Sequence, residues 1–198
     1  MTAAKIIRIP DAQIVLDFFD QFATQIDGKI VILVRDPRAM LQSRRIIASW
    51  DGLWKRDRSA MLNQLENECA SSAANKKVAE RTPEKVRIIR YEDFALDPTN
   101  QTEQIYKYLN LEMRSEIAEF LHVSTSTDDE TKYAKGEEFM QIYSTSRKST
   151  KTLNKWRTDM DFELMMEVQK RCLDMMRTFD YIPFGSEKAL KNVTLTYF

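Results

Sequence analysis

The hydrophobic pattern of these 198 residues alternates between two kinds of apolar segment. Short unbroken runs rich in β-branched residues predict strands, and apolar positions spaced by three and four predict helices packed on them. Lys5 to Ile9 is the first short run, ended by Pro10. Asp11 then caps a helix whose apolar positions Ile14, Val15, Phe18, Phe19, Phe22 and Ile26 keep helical spacing, and Gly28 stops it. Ile30 to Val34 is the second run, continuous enough for a strand buried on both faces of a parallel sheet. Strand, helix, strand in that order predicts a parallel pair with a right-handed connection.

Arg35-Asp36-Pro37 ends that strand abruptly. Pro37 has the φ of a first helical turn, Asp36 is an eligible N-cap, and Ala39-Met40-Leu41 are good helix formers. A helix is therefore expected from Pro37 to about Ser49, followed by a turn whose indoles, Trp50 and Trp54, pack the helix hairpin. The next helix is expected from about Asp57 to Glu80, with Met61, Leu65, Cys69 and Ala73 on one face. Val86 to Tyr91 reads as the third strand, and Asp97-Pro98 opens a helix with Ile105, Tyr106, Leu109 and Leu111 on its apolar side. The polar, Ser/Thr-rich span 123–152 predicts a long mobile loop, with Trp156 anchoring its end in the core. A last helix, about Asp161 to Phe179, carries Phe162, Met165, Met166, Gln169, Cys172, Leu173, Met176 and Phe179 inward. The tail from Tyr181 to Phe198 is expected to lie across the surface.

Length fits one domain, 1–198, with a proper core. Thirty basic and thirty acidic residues cancel, so no global field for a polyanion exists and nucleic acid is not expected as a partner. Any anion site must be local. No apolar run approaches 18 residues, so no segment is expected to span a membrane. Cys69 and Cys172 are the only cysteines, and two buried free thiols are the reading that composition favours for an intracellular chain. The sequons Asn100-Gln101-Thr102 and Asn192-Val193-Thr194 fit a secretory compartment.

The chemistry gathers where strands end. In an open α/β sheet, ligands bind beyond the carboxyl ends of the strands. Arg35 stands at one such end, and Ser43 follows about two helical turns later, beside Arg44 and Arg45. An arginine fork plus a hydroxyl suits a phosphate dianion. Tyr91 occupies a second strand end, and Ser146-Arg147-Lys148-Ser149 is a basic hydroxyl cluster suited to closing over a phosphate. Each has an ordinary counterpart: an ion pair for Arg35, a solvated serine, a buried phenol ring, a solvated charge run. Glu92 and Asp93 point apart on leaving a strand, which suits a cap or an ion pair to Arg90 better than a catalytic pair. His122, the single histidine, stands at the start of the polar span, makes a poor base candidate as a lone histidine, and is assigned to structure.

Val34-Arg35-Asp36-Pro37-Arg38-Ala39, with Ser43-Arg44 following, resembles the 3′-phosphate-binding segment of carbohydrate sulfotransferases, in particular the Golgi enzymes that sulfate the 6-hydroxyl of galactose or N-acetylglucosamine. Arg90-Tyr91-Glu92-Asp93-Phe94 agrees in type and order, as do Ser146-Arg147-Lys148-Ser149 and Lys155-Trp156-Arg157, so the likeness spans almost the whole chain. The resemblance implies an α/β fold, a P-loop-NTPase-like three-layer sandwich with a central parallel sheet flanked by helices. It implies 3′-phosphoadenosine 5′-phosphosulfate (PAPS) as sulfuryl donor, no metal, and a glycan or glycoprotein acceptor. Arg35 and Ser43 would hold the 3′-phosphate, Arg147 and Ser149 would complete that side, and Tyr91 would lie near adenine. A sugar hydroxyl attacks sulfur in line, a base that no motif here identifies removes its proton, and adenosine 3′,5′-bisphosphate leaves. The resemblance further implies the Golgi lumen, a membrane anchor upstream, and a Cys69–Cys172 disulfide closing a loop of about a hundred residues.

One part of the family pattern has no counterpart. The Ser/Gly-rich loop for the 5′-phosphosulfate matches nothing: Gly28, Gly52, Gly136 and Gly185 are the only glycines, and none follows a strand in a phosphate-loop pattern. The chain is thus expected to correspond to the carboxyl-terminal two-thirds of a sulfotransferase domain. The first strand and its loop would lie upstream of Met1, a hydrophobic sheet edge would be exposed, and the chain alone would be weakly active or inactive. Two other readings remain. One is a non-catalytic paralogue that binds, as a homodimer or with a full-length sulfotransferase. The other is a nucleotide-kinase-like phosphotransferase sharing the sheet topology.

Overall fold

The computed structural model describes residues 3–6, 11–22, 25–50, 53–126 and 149–198. In chain order it has α1 (Ala12–Phe22), β1 (Ile30–Val34), α2 (Pro37–Trp50), α3 (Leu53–Arg81), β2 (Val86–Arg90), α4 (Tyr91–Leu96), α5 (Pro98–Tyr108), α6 (Ser115–Ser126), α7 (Ser149–Asp159), α8 (Phe162–Arg171), α9 (Leu173–Thr178) and α10 (Glu187–Lys191). The fold is mixed α/β, with a small parallel sheet among many helices. β1 pairs with β2 from Ile30↔Val86 to Val34↔Arg90.

Local chemistry explains most boundaries. Asp36 Oδ1 accepts from the Arg38 amide at 2.8 Å, the N-cap expected at the start of α2. Asp97 caps α5 in the same way through the Asn100 amide, with Pro98 in the first turn. Asp11 Oδ1 accepts from the Gln13 amide ahead of α1. α4 was not foreseen: the segment leaving β2 goes directly into a single short helix. The expected last helix is two, α8 and α9, broken at Cys172.

The main core joins Val34 to Leu41, Leu65 and Cys69 of α2 and α3, and to Met160, Leu164, Met165, Val168, Met175 and Met176 near the C-terminus. A smaller cluster seats Ala12 and Leu16 of α1 against Val78 and Val86. Cys69 and Cys172 form a disulfide with Cα atoms 5.4 Å apart, tying α3 to the break between α8 and α9.

Several expectations about faces and edges are corrected. Residues 3–6 are not in a strand, so Lys5 and Ile6 do not open a sheet, and 7–10 lie outside the described residues. α1 buries Ala12 and Leu16, whereas Ile14, Phe18 and Phe22, and Ile26 beyond the helix, are exposed. β1 is not covered on both faces, because Val31 and Leu33 are exposed, Leu33 at 63%. Met166 also faces solvent. The tail does not merely cross the surface: Tyr181, Phe184, Leu190 and Tyr197 are buried in the core. The span read as a loop has helix at both margins, since α6 reaches Ser126 and α7 starts at Ser149, while 127–148 lie outside the described residues. The expected turn at 51–52 lies outside them too.

Candidate functional site

Parallel pairing in register makes β1 and β2 finish side by side, Val34 opposite Arg90. The next residues therefore meet. The Arg35 guanidinium lies over the Tyr91 ring, its central carbon 4.4 Å from the ring centroid. Such a cation–π contact contributes about 0.5–2 kcal/mol, more as it is desolvated. Among the described residues, Arg35 Nε is buried and has no acceptor. A buried donor is normally paired, and a guanidinium donor has high affinity for anionic oxygen.

Ser43 sits on α2, about 9 Å of helix rise beyond Pro37, and is exposed. Its basic neighbours are engaged elsewhere: Arg44 pairs with Glu68 at 2.7 Å, and Arg45 reaches Asp161 Oδ2 and the Asp159 carbonyl. Gln42 Oε1, one residue earlier, is buried without a partner. Arg147 lies outside the described residues. Ser149 is the first residue of α7, which packs on α2 and α4, the helices that carry Ser43 and begin at Tyr91. Thus Arg35 and Tyr91 are in contact, Ser43 lies on α2, and the helix that Ser149 begins packs on α2 and α4.

Behind this pair is a buried network that the motif reading missed. Arg38, fully buried, forks onto Asp36 with Nη2–Oδ2 at 2.6 Å and Nε–Oδ1 at 3.0 Å. Its Nη1 donates to Gln169 Oε1 and to the Ile182 carbonyl. The guanidinium is enclosed by Trp156, Phe184 and Tyr197. The Asp36 amide donates to Glu92 Oε1 at 3.0 Å, and the Tyr181 hydroxyl donates to Glu92 Oε2 at 2.7 Å. Burial raises the Glu92 pKa above the ordinary carboxyl value, against the opposing pull of the Asp36 amide and Tyr181 hydroxyl bonds. Burial raises that of Tyr181 as well, reinforced by the Glu92 charge.

Asp93 makes the expected pair with Arg90, two contacts of 2.8 Å, and this hydrogen bonding raises the Arg90 pKa. Glu92 does not share that role, because it points into the protein. Arg157 is a second buried guanidinium, held by the carbonyls of Ala189, Leu190, Asn192 and Leu195. Burial lowers its pKa. The spacing Asp36-x-Arg38 across a helix start was the one available sequence signal for this network. Tyr181 and Gln169 gave none, because Tyr181 is 89 residues from Glu92 and Gln169 is 131 from Arg38.

Among the described residues the arrangement offers an arginine whose buried Nε has no acceptor, lying over a phenol ring, and Ser43 exposed on the helix that follows. A guanidinium donor without an acceptor suits an anionic oxygen. Among the described residues, no group of three or more His, Cys, Asp or Glu is gathered to hold a metal.

Residues 27–115, which include Arg35, Ser43 and Tyr91, match the model of the sulfotransferase family. Carbohydrate sulfotransferase 1 from Mus musculus is 27% identical, the match covering 98% of this chain and 48% of that protein. Carbohydrate sulfotransferase 3 from Homo sapiens is 28% identical over 96% of this chain and 40% of its own length. The chain spans half or less of the length of these curated relatives. No solved structure matches it significantly. Over both strand ends this chain is therefore similar to the sulfotransferase family, and along nearly all of its sequence to carbohydrate sulfotransferases.

Proposed function

We propose that this chain forms the 3′-phosphate side of the PAPS site of a carbohydrate O-sulfotransferase acting on galactose- or N-acetylglucosamine-type glycans. The observation that carries the reading is Arg35, stacked on Tyr91 with a buried Nε that lacks an acceptor. A guanidinium so placed suits a phosphate dianion, and that unused donor is the fit test the donor group meets. Arg35 and the Ser43 hydroxyl would bind the 3′-phosphate, Arg147 and Ser149 would complete that side, and Tyr91 would lie against adenine. Bound PAPS supplies an activated sulfuryl group for an acceptor hydroxyl. The residues of this chain orient the donor and exclude water from its 3′ end.

The same reading includes the finer fold, a three-layer P-loop-like sandwich, and a place in the Golgi lumen. The Cys69–Cys172 disulfide supports an oxidising compartment. No helix among the described residues is long and apolar enough to cross a membrane. With no phosphate-loop pattern around its four glycines, the 198-residue chain alone is proposed to bind the donor weakly at its 5′ end and to transfer sulfate poorly or not at all.

Titration calorimetry with adenosine 3′,5′-bisphosphate tests this, with 5′-AMP and ATP as controls. Preference for the 3′-phosphate is expected, with affinity falling at least tenfold in Arg35→Ala, since a charge-assisted hydrogen bond contributes about 1.5–3 kcal/mol. Equal binding of 5′-AMP would sink the reading, and a preference for ATP would favour a kinase-like phosphotransferase.

A second reading, a non-catalytic partner that dimerises or joins a full-length sulfotransferase, is favoured by the exposed Phe18, Phe22, Val31 and Leu33. Sedimentation of wild type and a Phe18→Ser, Leu33→Thr variant decides it. A monomer in both cases, with no capture of a full-length enzyme, removes it.

A further inference from the structure

We infer that Glu92 is a positioning residue: its carboxylate joins the turn after β1 to the start of α4 and thereby holds Arg35 over Tyr91. The inference uses the donor-site reading only for what Arg35 binds.

The geometry is specific. Arg35 and Tyr91 are the stacked pair, and the residues that follow them, Asp36 and Glu92, are bonded to each other. Glu92 Oε1 takes the Asp36 amide, so it restrains the peptide unit next to the Arg35 Cα. Glu92 Oε2 takes the Tyr181 hydroxyl, and Tyr181 is itself fixed by its amide donating to the Met176 carbonyl at 2.8 Å. Arg38 grips the Asp36 side chain from the other direction and is braced by Gln169. The Arg35–Asp36 link is therefore held through its backbone by Glu92 and through its side chain by Arg38. Glu92 is 1% exposed, so it cannot contact a ligand and acts only through its neighbours.

β pairing ends at Val34 and Arg90, and beyond it the ladder no longer fixes the chain. A long arginine side chain leaving such an end samples many rotamers, and ordering it costs entropy on binding. A carboxylate that bridges the two exits removes part of that freedom before the anion arrives. Glutamine keeps an oxygen for the Asp36 amide and meets the Tyr181 hydroxyl through its NH2 group, since a phenol oxygen also accepts. Alanine removes both bonds.

The test reads Arg35 directly, in the full chain, by the Nε–Hε signal in nitrogen-15 NMR, assigned by its loss in Arg35→Lys. In the wild type that proton should be protected from exchange and shifted by the Tyr91 ring. Glu92→Ala should move it toward the position of an exposed arginine, and Glu92→Gln should return it. Leu16→Ala, which loosens the small cluster of Ala12, Val78 and Val86 at the other end of the strands, should lower the Tm without moving it. Preference for adenosine 3′,5′-bisphosphate over 5′-AMP should fall at least tenfold in Glu92→Ala and less than threefold in Glu92→Gln. Where Glu92→Ala does not fold, Tyr181→Phe deletes a single hydroxyl and should shift the same signal. An unmoved Arg35 signal in a folded variant whose Tm has dropped overturns the inference and leaves Glu92 a packing residue. A displaced Arg35 in a chain that never prefers the 3′-phosphate overturns the donor reading and leaves the positioning role standing.

Discussion

Arg38 grips Asp36 through two parallel hydrogen bonds, Nη2–Oδ2 at 2.6 Å and Nε–Oδ1 at 3.0 Å, with neither side chain reaching solvent. Asp36 also caps α2 and gives its amide to Glu92, and Arg38 donates to the Ile182 carbonyl, so the pair links the strand end, the helix start and the C-terminal tail. Removing one member of a buried pair leaves the other charge uncompensated, which costs about 3–5 kcal/mol. Arg38→Met should lose that much in urea unfolding, enough to bring a domain of ordinary stability close to unfolding. Arg38→Lys should recover only part, because an ammonium cannot reproduce the fork. A loss under about 1 kcal/mol would mean that the pair does not organise the fold.

The disulfide closes a loop of 103 residues, for which the chain-entropy model gives about 4–5 kcal/mol. Reduction should lower the unfolding midpoint by a corresponding amount, and Cys69→Ser should reproduce the effect without reductant. An unchanged midpoint under dithiothreitol would show that the constraint is not expressed in the unfolded chain.

Glu92 sets a pH dependence of defined sign. Its pKa is raised in the folded state by burial, so the folded chain holds a proton that the unfolded chain releases near pH 4.3. That contribution to stability is complete below the unfolded value and is lost as pH rises through the folded one. The stability of the wild type relative to Glu92→Gln should therefore fall on going upward from about pH 4.3, then level off. Urea midpoints at half-unit pH steps check this. Parallel profiles for the two proteins would place the folded pKa at its ordinary value.

Of the two sequons, Asn192 should be the better glycan acceptor when the chain is secreted. Asn192 and Thr194 are exposed in a turn, with the Thr194 hydroxyl donating to Asn192 Oδ1 at 2.7 Å. Asn100 lies in the first turn of α5, and its Thr102 is buried. Peptide mass spectrometry after expression through the secretory route should find the mass increment at Asn192 in the larger fraction. Occupancy confined to Asn100 would reverse the assignment.

The features legible in the sequence were those set by neighbours a few residues apart. Asp36-Pro37 and Asp97-Pro98 start helices because an N-cap oxygen reaches an amide two or three residues ahead. Ile30–Val34 and Val86–Arg90 form strands because their apolar β-branched runs leave no helical face. Tail burial was not legible: Phe184 and Tyr197 are taken inside by Arg38, Arg157 and Trp156, and Tyr181 by Glu92, all far away along the chain.

The sequence by itself determined where Arg35, Arg38, Arg44 and Arg45 fall: just past a strand, and along the helix that follows. It could not determine which is available, since the four side chains are chemically alike. Tertiary structure decided that, by bringing Gln169 to the Asp36–Arg38 pair, Glu68 to Arg44 and Asp161 to Arg45, each from more than twenty residues away. Arg35 alone of the four received a ring, Tyr91, in place of a carboxylate, because two parallel strands end in register. Helix caps and strand runs are short-range and can be read along the chain. The partner of a long, flexible cation is a long-range outcome of packing, which no local pattern encodes.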